Sequence, residues 1–488
     1  MAPAKDRAAS SVVHAFTQSG LSLDELWLLY FCVGGTEGPA VLADFVAGKA
    51  RLEPDEQDLV AQVVNERLEA HRTRHRAAYT GPLRTTSRSQ EPLAAMVEML
   101  RGSRLTSPDG LPGVLDAAAD MLGVQVVLYV VDYTSSVLVA FPGAHAVERS
   151  RLEVDSTLAG RAFRHFTVES TERGGARLWV PVADGVVRVG VLEVTVDPAR
   201  IQEAALREHI QLLAQLAGHL VTVVGRHGDG IDRLRRQEGR SVAAELVWAL
   251  LPPLTTGTDK VVITGRVEPN NDVGGDVFDV AVSEHSADVA IFDATGHDLG
   301  SGLVAATALT SYRNARREGR SLFAQAEAVD RAVSDQFGPG SYVTGVLAHL
   351  DLDTGHLRYL AAGHPYPLVL RDRHVVRSLR AGRRPLFGIE ATELTVGEER
   401  LEPGDCLVLF TDGITEARNA SKVMFGTSGL VEFLEREAAL ADSLPEIART
   451  LCRTVSTWQN GMLSDDCTVL LMHWTRDSQR VFTRADPP

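Results

Sequence analysis

Cysteine is scarce: Cys32, Cys406, Cys452 and Cys467 are the only four in 488 residues, and no two form a CxxC pair. That pattern gives no support for a disulfide framework or a structural zinc site, and it fits a reducing compartment. Cys406 and Cys467 fall inside apolar runs and read as small core hydrophobes. Long apolar runs are missing as well. No stretch approaches the roughly 18 apolar residues of a membrane span, and the amino terminus, MAPAKDRAASSVVHAF, lacks a continuous apolar h-region, so the expectation is a cytoplasmic protein without a membrane span. Basic charge is in deficit, with 49 Lys and Arg against 64 Asp and Glu, a formal net charge of -15. This argues against a general nucleic-acid binder. Also absent are a GxSxG elbow, a GxxxxGK[ST] phosphate loop, an HExxH zinc motif and a kinase HRD/DFG pair, which disfavours nucleotide-dependent and serine-nucleophile schemes.

What remains is a soluble globular composition, 44% hydrophobic and 23% charged, in a chain long enough for about three domains. Residues 1–92 read as a helical region and basic linker. After Asp55, the positions Leu59, Val60, Val63, Val64 and Leu68 recur at three and four, as one helix face requires. The stretch 71–90, HRTRHRAAYTGPLRTTSRSQ, is arginine-rich and acid-free, and reads as a solvated linker.

Residues 93–224 alternate helices with β-branched strand runs, VQVVLYVVD, VLVAF, RLWVPV and VRVGVLEVTV, which favour a curled antiparallel sheet flanked by helices. The closing helix carries Leu206, Ile210, Leu213, Ala217, Leu220 and Val224 at steps of four and three. That stripe suits pairing with a second copy in a homodimer or burial on the chain's own sheet. Residues 225–253 form a helical connector: GRHGDG punctuates it, the run IDRLRRQEGRSVAAELVWALLP follows, and Pro252 and Pro253 stop it. From 254 to 476 long β-meanders bracket two helix pairs, implying two stacked sheets with helices outside. DLDTGHLRYL reads as a hairpin. Residues 477–488 are a tail. The fold class is α/β multidomain.

Acidic residues stand beside glycine or at strand edges across the C-terminal half: Asp276 in VGGDVFD, Asp293 in IFDATGH, Asp412 in LFTDGITE, and Asp465 and Asp466 in LSDDCTVLLMHW. Carboxylates beside buried strands are costly unless paired or bound to metal, so the set suggests one hard-metal cluster. The Ala294 carbonyl offers a second oxygen ligand beside Asp293. Asp279, three residues after Asp276, need not share its role. Glu416 is an outer candidate. His297 has two open roles, in catalysis or in orientation. His364, between Gly363 and Pro365, reads as a structural corner. Arg266, Arg383 and Arg384 are undiscriminated candidates for a phosphate clamp.

The motifs PNNDVGGDVFDV, FDATGHDLGSGLVAA, GHLRYLAAGHPYPLVL, PLFGI, LEPGDCLVLFTDGITEARN and SDDCTVLL occur in this order. With them the segment Glu245 to Trp474 resembles the PPM-type metal-dependent Ser/Thr protein phosphatases, in the bacterial branch of the sporulation stage II phosphatase and sigma regulators. The resemblance implies a C-terminal α-β-β-α sandwich holding two Mn²⁺ or Mg²⁺ ions. Asp276, Asp293, Asp412 and Asp465 would form the catalytic metal site, Ala294 would assist through its carbonyl, and Asp466 would support it. It further implies a phosphorylated STAS-type anti-sigma-factor antagonist as substrate. Two departures stand out. The family reads Gly-His-Gly where this chain has Gly296-His297-Asp298, and the added charge bears on metal affinity and turnover, leaving a catalytically weak scaffold as the alternative. Val247 replaces a glutamine common before the LLP stretch. The order of elements in 93–224 resembles a GAF-type sensory domain, for which a small-molecule ligand and a purely dimerising role are both open.

Overall fold

The computed structural model describes residues 4–70, 87–141, 143–145, 150–172, 175–236, 239–268, 274–296, 299–338, 340–389, 394–440 and 443–475. His297 and Asp298, most of the basic stretch 71–90 and the tail 477–488 lie outside the described residues. The chain divides into two compact units, Met1–Glu91 and Pro92–Pro488. No helix among the described residues is long and apolar enough to cross a membrane.

The first unit contains α1 (Ala4–Ser19), α2 (Leu23–Cys32), α3 (Pro39–Val46) and α4 (Pro54–Ala70). Its core joins Val12, Leu26, Tyr30, Phe45, Val60, Val64 and Leu68, so the three-and-four spacing read from the sequence does face inward. Ser22 and Glu25 form a capping box that starts α2: the Glu25 N–H donates to Ser22 Oγ, and the Ser22 N–H donates to Glu25 Oε2.

In the second unit α5 (Ser87–Gly102) and α6 (Leu111–Met121) lead into a six-stranded antiparallel sheet. Its strands are β1 (Gln125–Val131), β2 (Val137–Phe141), β3 (Arg151–Glu153), β4 (Glu169–Thr171), β5 (Arg177–Asp184) and β6 (Val187–Thr195), in the order β3-β2-β1-β6-β5-β4. α7 (Leu158–His165) covers one face, and α8 (Ala204–Gly225) with α6 covers the other. The α8 stripe Leu206, Ile210, Leu213, Ala217, Leu220 and Val224 is buried, and all but Val224 join the core against this sheet. The helix can seat so closely because Gly218 has no side chain: a Cβ there would lie 2.1 Å from the Ala183 carbonyl oxygen. The stripe is therefore used internally, which corrects the pairing seam and removes the observation on which a homodimer rested.

The connector is not one run. α9 (Gly230–Arg235) and α10 (Val242–Leu250) are separate, and Ser241 caps the second by accepting from the Ala244 N–H at 3.1 Å.

Two six-stranded sheets follow. One orders β15 (Arg383–Arg384), β12 (His356–Ala362), β11 (Val343–Asp351), β10 (Ser286–Ala294) and β9 (Asp276–Val282), with β16 (Gly397–Arg400) also on β12. The other orders β14 (His374–Ser378), β13 (Leu368–Arg371), β17 (Cys406–Phe410), β18 (Cys467–Trp474), β8 (Val261–Glu268) and β7 (Thr255–Gly257). A shared core between them takes Ile263, Phe278, Ile291, Leu409 and Leu470 from both sheets. Outside the first sheet pack α11 (Leu299–Arg317) and α12 (Leu322–Phe337); outside the second pack α14 (Gly426–Leu440) and α15 (Leu444–Trp458), while the short α13 (Asp412–Thr415) follows β17. The layering is helix, sheet, sheet, helix.

Candidate active site

The acids come from two sheets. Asp276 opens β9 directly opposite Asp293 on the antiparallel strand β10. Strand alternation places Phe278 and Ile291 between the sheets and Val277 and Phe292 under the helices. Asp276 and Asp293 therefore share the inter-sheet face, a like-charge cross-strand pair that is unfavourable in isolation. In the other sheet Asp412 follows β17 and Asp465 and Asp466 precede β18. These strands run antiparallel, so the end of one lies beside the start of the other and both acidic segments reach the same rim.

Hydrogen bonds tie the sheets together there. Thr411 Oγ1 donates to Asp276 Oδ2 at 2.8 Å and accepts from the Thr468 N–H at 3.0 Å. The Gly275 N–H donates to Asp466 Oδ2 at 2.7 Å. Two glycines make room. A Cβ on Gly275 would lie 2.4 Å from the Ala294 carbonyl oxygen, and one on Gly413 only 1.8 Å from the carbonyl oxygen of Asp466.

Electrostatics shows that the carboxylates sense one another. Burial and then the charges of Asp293 and Asp466 hold the Asp276 carboxyl well above the usual range, with the Thr468 and Thr411 hydroxyls pulling the other way. Burial, followed by Asp412, Asp465 and Asp466, pushes Asp293 up to about 7. Asp412 is raised by burial, Asp465 and Glu416. These couplings place Asp276, Asp293, Asp412, Asp465 and Asp466 in one acidic cluster. Among the described residues, no group of three or more His, Cys, Asp or Glu side chains is arranged to hold a metal ion. Asp466 is buried and bound to the Gly275 backbone, whereas Asp465 is exposed. Ala294 is buried with its carbonyl oxygen against Gly275.

Asp279 lies on the opposite face of β9 and has a different task. It is 2% exposed, and Arg313 and Arg316 of α11 clamp both its oxygens; Arg313 Nη2 also donates to the Leu250 carbonyl at 2.6 Å. Of the three clamp candidates, none is engaged with the cluster. Arg266 is held by Glu268, Ser135 and the Thr134 carbonyl, Arg384 pairs with Asp330, and Arg383 is an exposed residue of β15. The sequence reading missed Thr411 and Thr344. Thr344 sits opposite Asp293, and its hydroxyl meets His364 Nδ1 at 2.7 Å. Burial pushes the His364 pKa down to about 3, so its ring is neutral and positions Thr344. The only advance signal was that Thr411 adjoins Asp412.

Residues 283–475 match the family described as Stage II sporulation protein E (SpoIIE). This span is a SpoIIE-family domain. It contains Asp293, Asp412, Asp465 and Asp466, and Asp276 lies just before it. The chain is 23% identical over 234 residues to Protein IcfG of Synechocystis, an alignment covering 42% of this chain and 36% of that protein. It is 21% identical over 248 residues to the phosphoserine phosphatase RsbU of Bacillus subtilis, covering 47% of this chain and 68% of that one. Among solved structures, the SiaA-PP2C domain of Pseudomonas aeruginosa matches with 22% identity and a TM-score of 0.42, over 47% of this chain and 93% of that one. The chain thus spans about a third of the first of these relatives.

Proposed function

We propose that the SpoIIE-family domain is a metal-dependent phosphoserine/phosphothreonine protein phosphatase. One observation carries this: acids from two sheets converge on one rim, where neighbouring carboxylates help to raise the pKa values of Asp276, Asp293 and Asp412. The donor set fits hard divalent cations such as Mn²⁺ or Mg²⁺, because it consists of carboxylates and one neighbouring backbone carbonyl, and its mutual repulsion is what a bound cation relieves. Asp276, Asp293, Asp412 and Asp465 would hold the ions, with the Ala294 carbonyl assisting and Asp466 bracing Gly275. When bound, a two-metal centre supplies charge stabilisation to the phosphoryl group and activates the attacking water.

The chain's own residues do the positioning. Thr411 fixes one Asp276 oxygen, and Thr344, oriented by neutral His364, stands beside Asp293. Water attacks phosphorus, and the serine or threonine oxygen departs in line. A thiol nucleophile is disfavoured in this domain, since Cys406, Cys452 and Cys467 are buried and burial beside Asp405 pushes the Cys406 thiol up to about 12.

The phosphoserine specificity follows the name of the RsbU relative. The proposed substrate is a phosphorylated STAS-type anti-sigma-factor antagonist, by the family resemblance of the motifs. The preceding antiparallel sheet, covered by helices on both faces, supports a GAF-like sensory role for residues 93–224. The purified full chain should release phosphate from phosphoserine STAS proteins in Mn²⁺ or Mg²⁺ and lose that release in Asp293→Asn. Absence of turnover across both metals and a broad phosphoprotein set would overturn the assignment.

A further inference from the structure

A cavity of about 350 Å³ lies where the β1–β6 sheet, the connector and the SpoIIE-family domain meet, away from the acidic cluster. Its wall combines Tyr133 and Trp248 with four arginines, Arg188, Arg235, Arg266 and Arg449; Glu446 is the single acid lining it. The size is that of a small-molecule site. Two of these guanidinium groups are already paired, Arg266 with Glu268 and Arg449 with Glu446 and Asp155.

The cavity is built from both sides. Arg449 of α15 is 4% exposed; its Nη2 donates to Glu446 and to Asp155, and its Nη1 is buried without a hydrogen-bond partner among the described residues. A buried guanidinium N–H left unpaired is costly, so Arg449 gains a partner if an occupant of the cavity brings an anionic oxygen within reach of Nη1. Arg266 reaches across to the β1–β2 turn, donating to Ser135 Oγ at 3.0 Å. The Tyr133 and Trp248 rings lie 5.1 Å apart; the Arg235 guanidinium sits 4.4 Å from the Tyr133 centroid, and the Arg240 guanidinium sits 3.9 Å from the Tyr133 centroid and 4.4 Å from the Trp248 centroid. Aromatic rings stacked with guanidinium groups offer apolar edges beside cationic N–H groups, a combination that matches a ring carrying an acid group.

We infer that this cavity binds a small ring-bearing organic anion, a carboxylate or phosphate monoester, that bridges the sensory sheet and the SpoIIE-family domain. Its position gives the occupant a route to the acidic rim. Arg266 lies opposite Val469 on β18, three residues beyond Asp466, so the cavity and the carboxylates share one strand pair.

Isothermal titration calorimetry of the full chain in EDTA tests this with 2-naphthoate, indole-3-acetate and adenosine 5′-monophosphate, against acetate and inorganic phosphate. At least one ring-bearing anion should bind one per chain and at least tenfold more tightly than acetate or phosphate. Arg449→Gln should weaken it at least tenfold. Because Arg449 also holds Glu446 and Asp155, the half-buried Trp248→Leu serves as a second variant expected to weaken binding without touching that ion pair. Asp466→Asn should leave binding unchanged. No preference for ring-bearing anions, binding that survives both cavity variants, or binding lost in Asp466→Asn would each overturn the inference.

Discussion

Replacing Asp293 by asparagine should make the chelated protein more stable, although it removes a residue proposed to be essential for turnover. The Asp293 carboxyl is pushed from 3.8 up to about 7 by burial and by Asp412, Asp465 and Asp466. A carboxyl whose folded pKa is raised binds more protons folded than unfolded, so its ionisation penalises the fold. The penalty is small below the unfolded pKa, grows as pH rises between 3.8 and about 7, and is complete above that. Linkage over those two pKa values gives about 4 kcal/mol at about pH 8, about 2 at pH 5 and a few tenths near pH 4. Asparagine escapes the charge but weakens the contact with Thr344, so the net gain at pH 8 should be on the order of 2–3 kcal/mol. Urea unfolding of the transition carrying this domain, in EDTA at pH 8 and 5, reads the difference directly. Saturating Mn²⁺ should reverse the order, because only the wild type keeps its full ligand set. A variant less stable than wild type at pH 8 in EDTA, or a difference that does not shrink at pH 5, would refute the electrostatic reading of the cluster.

Two other substitutions probe the supports rather than the acids. Thr411→Val keeps the shape but strips a hydrogen bond from buried Asp276 and another from the Thr468 N–H; a loss of about 2–4 kcal/mol in urea unfolding is expected, with Thr411→Ser close to wild type. Arg313→Met leaves Asp279, 2% exposed, with Arg316 alone and frees the Leu250 carbonyl, so about 2–4 kcal/mol should be lost and the end of the connector should gain amide exchange.

Much of the fold was legible because it rests on local signals. α12 occupies the span of its apolar run, and the DTG turn joins β11 to β12 as a hairpin, since periodicity and turn chemistry are written in consecutive residues. The short strands β3, β4, β15 and β16 were invisible. Two to four residues carry no period, and their pairing is decided by the strand beside them. The α8 stripe shows a different limit. A seam spaced in threes and fours reports that a face is buried, not what buries it, and only the 2.1 Å approach that Gly218 permits to Ala183 assigned it to the chain's own sheet. The connector divides into α9 and α10, and Ser241 offers the cap that starts the second.

The acidic site divides along the same line. That Asp276 and Asp412 sit beside glycines, and Asp293 and Asp465–Asp466 at strand edges, was plain, yet the reason for each glycine lies in a partner far along the chain. Gly413 is small for the backbone of Asp466, and Gly275 for the backbone of Ala294. A site assembled by backbone crowding leaves only the small residue in the sequence, never its neighbour. Thr411 was missed for the same reason: nothing local says that its hydroxyl crosses between sheets to Asp276. The arginines of the interdomain cavity are the extreme case, drawn from Arg188 to Arg449 with no motif among them. Charge that is dispersed in sequence and concentrated in space becomes visible only when domains meet.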